Sequence, residues 1–217
     1  MTKMSGASLV IGSTGLIGKK LIFELAKKDS EVIAITRRLI SNLPKNVSLL
    51  NINFDDFFEN GSLPSCDHIY ICLGTTIKKA GSQSEFKKVD FDYCVSFAKK
   101  AREAGATKIS LVSSVGANPY VKNFYLKTKG EVEEEIKKID FHYINIFRPS
   151  LLLGSREENR FLEKIGQNLS PFINLFLIGF LRKYRSIKSS NVAYCMANYK
   201  QSGGVRYLYF DDFNNNF

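Results

Sequence analysis

Tyr125 and Lys129 are the residues whose chemistry and spacing first suggest catalysis. They lie four residues apart in the segment FYLKTKGE, and on a helix that spacing places both side chains on one face. A phenol has a pKa of about 10, too high for an effective base near neutrality, but a neighbouring ammonium favours the phenolate. The pair could therefore exchange a proton with a carbonyl or alcohol oxygen. The alternative is a polar turn on an exposed helix.

A glycine-rich loop follows the first apolar run of the chain. The run ASLVIG leads into GSTGLIG, in which the three glycines have GxxGxxG spacing. Between a strand and an amphipathic helix, such a loop permits a tight turn and a close approach to a pyrophosphate, whose charge suits the helix N-terminus. The alternative is a flexible structural turn. The predicted cofactor-binding residues are Gly12, Ser13, Thr14, Gly15, Leu16, Ile17 and Gly18.

The residues after the second apolar run favour NADP(H) over NAD(H). That run, EVIAIT, is followed by Arg37 and Arg38, where an NAD-preferring site has an acidic residue for the ribose hydroxyls. A carboxylate would repel a 2′-phosphate, whereas a guanidinium binds it with paired hydrogen bonds. The alternative is a solvated pair of charges. Asp55, after the third run, is either an adenine contact or a plain loop aspartate.

Two further strand ends are expected to touch the cofactor. The fourth run, HIYICL, leads into Leu73, Gly74 and Thr75, which would pass beneath it, where a small residue permits close approach. Pro149 follows the sixth run, HYINIFR, and would lie near the nicotinamide. The alternatives are an ordinary strand-end turn and a rigid loop packed on the sheet.

Apolar runs alternate with helical patterns, which indicates an α/β fold. The runs predict strands at 7–12, 31–36, 47–52, 68–73, 108–114 and 142–148. Helical periodicity covers 16–28, a long segment with Phe86, Val89, Tyr93, Phe97 and Ala101 in steps of three and four, and about 120–139. This order predicts a doubly wound parallel sheet, Rossmann-like, covered on both faces. Ligands of such sheets bind beyond the carboxyl ends of the strands.

That architecture brings the catalytic candidates together. Ser113 and Ser114 end the fifth run, and Tyr125 and Lys129 lie on the next helix, so all would converge beside the nicotinamide. We expect one NAD(P)-binding domain over 1–217. Residues from about 150 would form a smaller substrate-facing lobe, with a helix near 191–199 and a late strand at 205–210.

The glycine loop with the serine, tyrosine and lysine resembles the short-chain dehydrogenase/reductase family. The segments CLGTTIKKAG, VSSVGAN, FYLKTKGEVE and FRPSLLLG resemble its atypical subgroup related to the human Tat-interacting protein, an NADPH-binding oxidoreductase. The resemblance implies that Tyr125 transfers the proton, Lys129 holds the ribose hydroxyls and lowers the tyrosine pKa, and Ser114, ahead of Ser113, orients the carbonyl. Asp90 stands where many relatives carry the asparagine that supports their active site, so their usual proton relay is in doubt here, and the alternative is an aspartate that simply caps or solvates the helix.

The amino-acid composition limits which kinds of protein and which kinds of binding site are expected. The chain has 217 residues, 44% hydrophobic and 24% charged, which is typical of a soluble globular protein. Its net charge of +10 favours anionic partners, but the basic residues are dispersed, so nucleic acid is not the expected partner. Four cysteines without a CxxC pair and two histidines argue against a zinc site or a disulfide framework. No signal-peptide pattern opens the chain, and we expect a cytoplasmic protein.

Two functions remain after this reasoning. The first is an NADPH-dependent oxidoreductase that reduces a small carbonyl substrate or oxidises the alcohol. The alternative is an NADPH-binding regulatory protein with little turnover, whose affinity for a protein partner depends on the cofactor.

The apolar stretch FINLFLIGFL (172–181) is followed by RKYR. It is too short to span a membrane, and three interpretations stay open: a buried helix, a lid over a substrate pocket, or a weak membrane-surface contact.

Overall fold

A parallel seven-stranded sheet forms the centre of the protein and confirms the predicted doubly wound α/β fold. The computed structural model describes residues 6–28, 31–153, 177–200 and 203–214. The strands are β1 (Ser8–Ile11), β2 (Val32–Thr36), β3 (Val47–Asn51), β4 (His68–Ile71), β5 (Lys108–Val112), β6 (Tyr143–Phe147), β7 (Leu152–Leu153), β8 (Ile187–Lys188) and β9 (Gly204–Leu208). The order β3-β2-β1-β4-β5-β6-β9 reverses direction between β1 and β4. A ligand site is therefore expected beyond the ends of those two strands.

Helices cover both faces of this sheet. They are α1 (Gly18–Ala26), α2 (Phe54–Asn60), α3 (Ile77–Ala80), α4 (Gln83–Lys87), α5 (Tyr93–Glu103), α6 (Phe124–Lys137) and α7 (Ser189–Asn198). The short α2 and α3 were not predicted, since seven and four residues carry too little helical period. One prediction was wrong in detail: the long helix through Phe86 and Ala101 is not uniformly α-helical. A π-helical turn, Lys88–Asp92, joins α4 to α5.

The strands are buried on both sides, as parallel strands generally are. In β1, Leu9 and Ile11 face a cluster that includes side chains of α2, α5 and α6, whereas Val10 faces a cluster with α1 and α7. Each large apolar side chain fully buried this way contributes about 1.5–3 kcal/mol. The result is a rigid platform whose strand ends hold their loops in fixed positions.

The C-terminal part of the chain returns to the sheet. β9 pairs in parallel with β6, and α7 packs on α1, where the Lys20 ammonium donates to the Ser189 hydroxyl at 2.8 Å. β7 and β8 form a separate two-stranded sheet. The smaller substrate lobe stays a prediction, because 154–176, including the first half of the apolar stretch, lie outside the described residues. Among the described helices, none has the length and apolar character needed to cross a bilayer.

Candidate active site

The glycine loop lies at the reversal of strand order. Gly12 has a φ of 80°, in the left-handed region, and a Cβ built on it would lie 2.6 Å from the carbonyl oxygen of Cys72 at the end of β4. A Cβ on Gly18 would lie 2.2 Å from the Gly12 oxygen, so α1 rests directly on the loop. Within the described chain, α1 has no side-chain N-cap and no acidic residue in its first turn. This helix start is suited to capping by a phosphate.

Replacing Gly12 by alanine is expected to destabilise the fold by about 2–3 kcal/mol and to abolish nucleotide binding. The methyl group would meet backbone that cannot move aside, and the left-handed conformation adds strain. Gly81→Ala is the matched control, since its φ is 86° but nothing lies within 4 Å of the added Cβ. Its cost is therefore the strain alone, about 1 kcal/mol. Denaturant unfolding and NADPH titration measure both effects, and equal costs for the two variants would contradict the prediction.

The other loop residues divide between core and surface. The buried Ser13 hydroxyl donates to the Ile35 carbonyl at 3.2 Å, so the side chain is used within the protein. Ile17 packs in the core beneath α1, Leu16 is half-buried, and Thr14 is exposed. Of these four side chains, only that of Thr14 is exposed.

Both arginines lie at the edge of this region. The Thr36 hydroxyl accepts the Arg38 N–H at 3.0 Å, which shapes the turn after β2. Arg37 lies over the ring of Phe54, with its guanidinium carbon 5.2 Å from the ring centroid. A surface cleft of about 360 Å3 is lined by Arg37, Asn51, Ile52 and Asn53. Arg37 and Arg38 are exposed, so their guanidinium groups are accessible to a phosphate.

Asp55 belongs to a small polar cluster on the same side. Its Oδ1 is 2.5 Å from the Lys88 ammonium and accepts the Tyr93 hydroxyl at 2.5 Å. Lys88 first, then Tyr93, lowers the pKa of this carboxyl. Burial first, and then Asp55, raises the pKa of Tyr93 to about 12. Asp55 therefore ties the start of α2 to the π turn and α5, and an adenine contact remains a prediction.

Lys129 lies in a buried ion pair beside the loop that follows β4. Its Nζ is 2.7 Å from Asp90 Oδ1, and the two side chains are 6% and 0% exposed. A Cβ on Gly74 would lie 3.9 Å from the same ammonium. Burial lowers the pKa of Lys129, but the charge of Asp90 and the proximity of Tyr125 outweigh it, so the pKa is raised. Sequence reasoning had not connected Asp90 with Lys129.

Tyr125 lies one helical turn before Lys129 on α6, half-buried, with its ring 5.7 Å from that of Phe86. The two serines after β5 have different surroundings. Ser113 is buried and donates its hydroxyl to Glu133, which is also bound by Arg148. Ser114 is half-buried, and among the described residues its hydroxyl contacts the carbonyl of its neighbour Val115 at 3.3 Å and no other partner. Of the two serines, Ser114 is therefore the less buried one.

The loop after β6 is anchored to this serine loop. The Val115 N–H donates to the Pro149 carbonyl at 2.9 Å, and Pro149 itself is buried. At the end of β4, Leu73 is buried, Gly74 is exposed and Thr75 is half-buried. The loops that follow β1, β4, β5 and β6 therefore share one edge of the sheet. Among the described residues, no group of three or more His, Cys, Asp or Glu side chains could hold a metal ion.

Comparison with known proteins places the sequence among nucleotide-binding proteins. A family model described as NAD(P)H-binding matches residues 12–172. Protein FMP52, mitochondrial, of Candida albicans is 32% identical over 206 residues, covering 91% of this chain and 89% of that protein. Protein HTATIP2 of Rattus norvegicus is 34% identical over 165 residues, covering 73% and 68%. Human epimerase family protein SDR39U1, solved with NADPH, matches the fold with a TM-score of 0.63 at 19% identity, covering 94% and 74%.

Proposed function

This chain belongs to the NAD(P)H-binding atypical short-chain dehydrogenase/reductase family, and from that premise we propose that it is an NADPH-dependent reductase of a small carbonyl compound. The observation that carries the proposal is the position of Lys129. Its ammonium is buried beside Gly74, at the strand end next to the glycine loop, with Tyr125 one turn earlier on the same helix.

The residues present fit a dinucleotide. Gly12 and Gly18 allow the loop to pack closely against the end of β4 and the start of α1, and the uncapped start of α1 offers N–H donors to a pyrophosphate. Lys129 would hold the hydroxyls of the nicotinamide ribose with the N–H donors that do not face Asp90. Arg37 and Arg38 would bind a 2′-phosphate.

The protein's part in the reaction is proton transfer and positioning. NADPH, when bound, supplies the hydride. Tyr125 donates its phenolic proton to the carbonyl oxygen, and the Ser114 hydroxyl donates a hydrogen bond to the same oxygen and orients it. In the reverse direction the tyrosine phenolate accepts the proton of the alcohol. The buried ammonium of Lys129 stabilises that phenolate.

A panel of small aldehydes and ketones tests this function. We expect NADPH to bind and at least one carbonyl compound to be reduced, with loss of NADPH absorbance. Tight NADPH binding without turnover of any member would instead support the regulatory protein. Conversion of a nucleotide sugar without net loss of NADPH would support epimerase chemistry.

Coenzyme preference is a separate prediction. The double variant Arg37→Ala/Arg38→Ala is expected to lose about 10–100-fold in NADPH affinity, because charged hydrogen bonds contribute about 1.5–3 kcal/mol. NADH affinity should change little, since it lacks the 2′-phosphate. Arg102→Ala is the control, because that arginine pairs with Asp140 at the far end of α5. Fluorescence titration with both coenzymes measures the effect, and equal wild-type affinities for NADH and NADPH would contradict it.

The cellular compartment of the protein is a separate proposal. We retain the expectation of a cytoplasmic protein, although the relative from Candida albicans is named mitochondrial. Cell fractionation of the full chain, with markers for both compartments, distinguishes them.

A further inference from the structure

Asp90 is a fully buried carboxylate at the centre of the candidate active site. Its Oδ1 lies 2.7 Å from the Lys129 ammonium as an ion pair, and no described residue donates a well-aligned hydrogen bond to it. Its Oδ2 accepts the N–H of Thr75 at 2.8 Å. One side chain thus connects α6 with the loop after β4, the two elements between which the nicotinamide ribose is expected. Neither the fold nor the proton transfer described above gives this carboxylate a role.

The backbone around Asp90 is unusual. The Tyr93 N–H donates to the carbonyl of Lys88, five residues earlier, which is the hydrogen bond of a π-helix. One extra residue in a turn changes the direction of the following side chains by about 100°. The π turn allows Asp90 to face Lys129 while Tyr93, three residues later, reaches Asp55. Such turns occur frequently at functional sites, where they are retained despite their cost.

Within the part of the chain that the structure describes, three titratable groups act on the charge of Lys129. Asp90 faces it from the π turn, Tyr125 from its own helix, and Cys94 from α5. Burial raises the pKa of the Cys94 thiol to about 12, so that group is neutral near pH 7. The ammonium and the Asp90 carboxylate therefore form a nearly neutral unit beside the phenol. An asparagine at position 90 would leave Lys129 as an uncompensated buried cation.

We infer that Asp90 is a positioning residue that keeps Lys129 charged and directed at the cofactor loop and, by offsetting that charge, keeps the Tyr125 phenol protonated for reduction. This inference rests on the proposed function. With Asp90 present, the tyrosine–lysine pair keeps its proton-donating form up to a higher pH than it would without that carboxylate. Asp90 acts through Lys129 and needs no contact with substrate.

Asp90→Asn is the test, with Asp92→Asn as its matched control. The control removes one half-buried carboxylate from the same π turn without touching the ion pair. NMR titration of the full chain, with labelled lysine and tyrosine, follows both groups, and the Lys129 signal is assigned by its loss in Lys129→Arg. The pair should release its first proton at a pH lower by at least about one unit in Asp90→Asn, whichever group releases it. Asp92→Asn should titrate like the wild type.

The same shift should appear in the pH profile of carbonyl reduction, whose basic limb moves to lower pH in Asp90→Asn alone. A merely structural aspartate would lower the amount of active protein without moving this limb. An unchanged titration of the pair in Asp90→Asn overturns the inference. The wild type provides a second measurement that does not depend on the variant folding: Lys129 should titrate above an ordinary lysine, and a value at or below it also overturns the inference.

Failure of the proposed function would look different. NADPH binding without turnover of any carbonyl compound would remove the reductase, yet the Lys129 titration would still decide the role of Asp90. Conversely, normal reduction with an unshifted Lys129 would leave the reductase and remove the inference.

Discussion

Tyr125→Phe should reduce the kcat of carbonyl reduction by about a thousandfold and leave the Kd for NADPH within about threefold of the wild type. General acid catalysis by one side chain contributes typically about 10²–10⁴-fold, and phenylalanine has no proton to donate. Only the hydroxyl is removed, so the ring can keep its contact with Phe86 at 5.7 Å. Lys129 and its ion pair with Asp90 should also be preserved. The variant therefore separates proton transfer from cofactor binding.

Tyr120→Phe is the control for this experiment. Tyr120 lies in the loop before α6, is 92% exposed, and should tolerate the loss of its hydroxyl without change in kcat. Steady-state kinetics with the best carbonyl substrate, together with NADPH titration, measures both variants. Turnover of Tyr125→Phe at the wild-type rate would remove Tyr125 from the mechanism. A parallel loss of NADPH affinity would show that the tyrosine binds the cofactor as well.

Strand positions were readable from the sequence because buried parallel strands are short, continuous apolar runs. All six predicted strands of the first 150 residues overlap the observed ones, and their ends agree to within two residues. The π turn could not be read, because Phe86, Val89 and Tyr93 still follow steps of three and four through it. Its extra residue is stabilised by tertiary contacts of Asp90 and Tyr93, which local periodicity does not record.

The candidate site was readable where a motif follows a strand. Gly12, Arg37, Gly74 and Ser114 could each be placed at a strand end, and the parallel sheet brings those ends to one edge. Which serine is available could not be decided from the sequence, because Ser113 and Ser114 are adjacent and the same residue type. The structure separates them through Glu133, which lies 20 residues away along the chain and binds only Ser113 of the two.

The buried Glu133 and the half-buried Arg148 form an ion pair on which the second large prediction rests. The Glu133 side chain is 1% exposed and accepts hydrogen bonds from Ser113 and from two nitrogens of Arg148. Arg148 also donates to the Tyr209 hydroxyl at 3.0 Å and lies over the Tyr207 ring at 4.4 Å. The pair therefore connects α6, β5, β6 and the end of β9 directly beneath the serine loop.

Arg148→Met should lower the free energy of unfolding by about 3–5 kcal/mol, because it leaves the Glu133 carboxylate buried without a counter-charge. The double variant Glu133→Gln/Arg148→Met should recover a large part of that loss, since no unpaired charge remains. Lys137→Met is the control on the same helix: its pair with Glu134 is partly exposed and contributes at most about 1 kcal/mol.

Denaturant unfolding at constant pH and salt measures the three variants. A loss below about 1 kcal/mol for Arg148→Met would show that water reaches Glu133, and the pair would then resemble the surface pair of Lys137. A double variant no more stable than Arg148→Met would show that the aromatic contacts of Arg148, rather than its charge, hold these elements together.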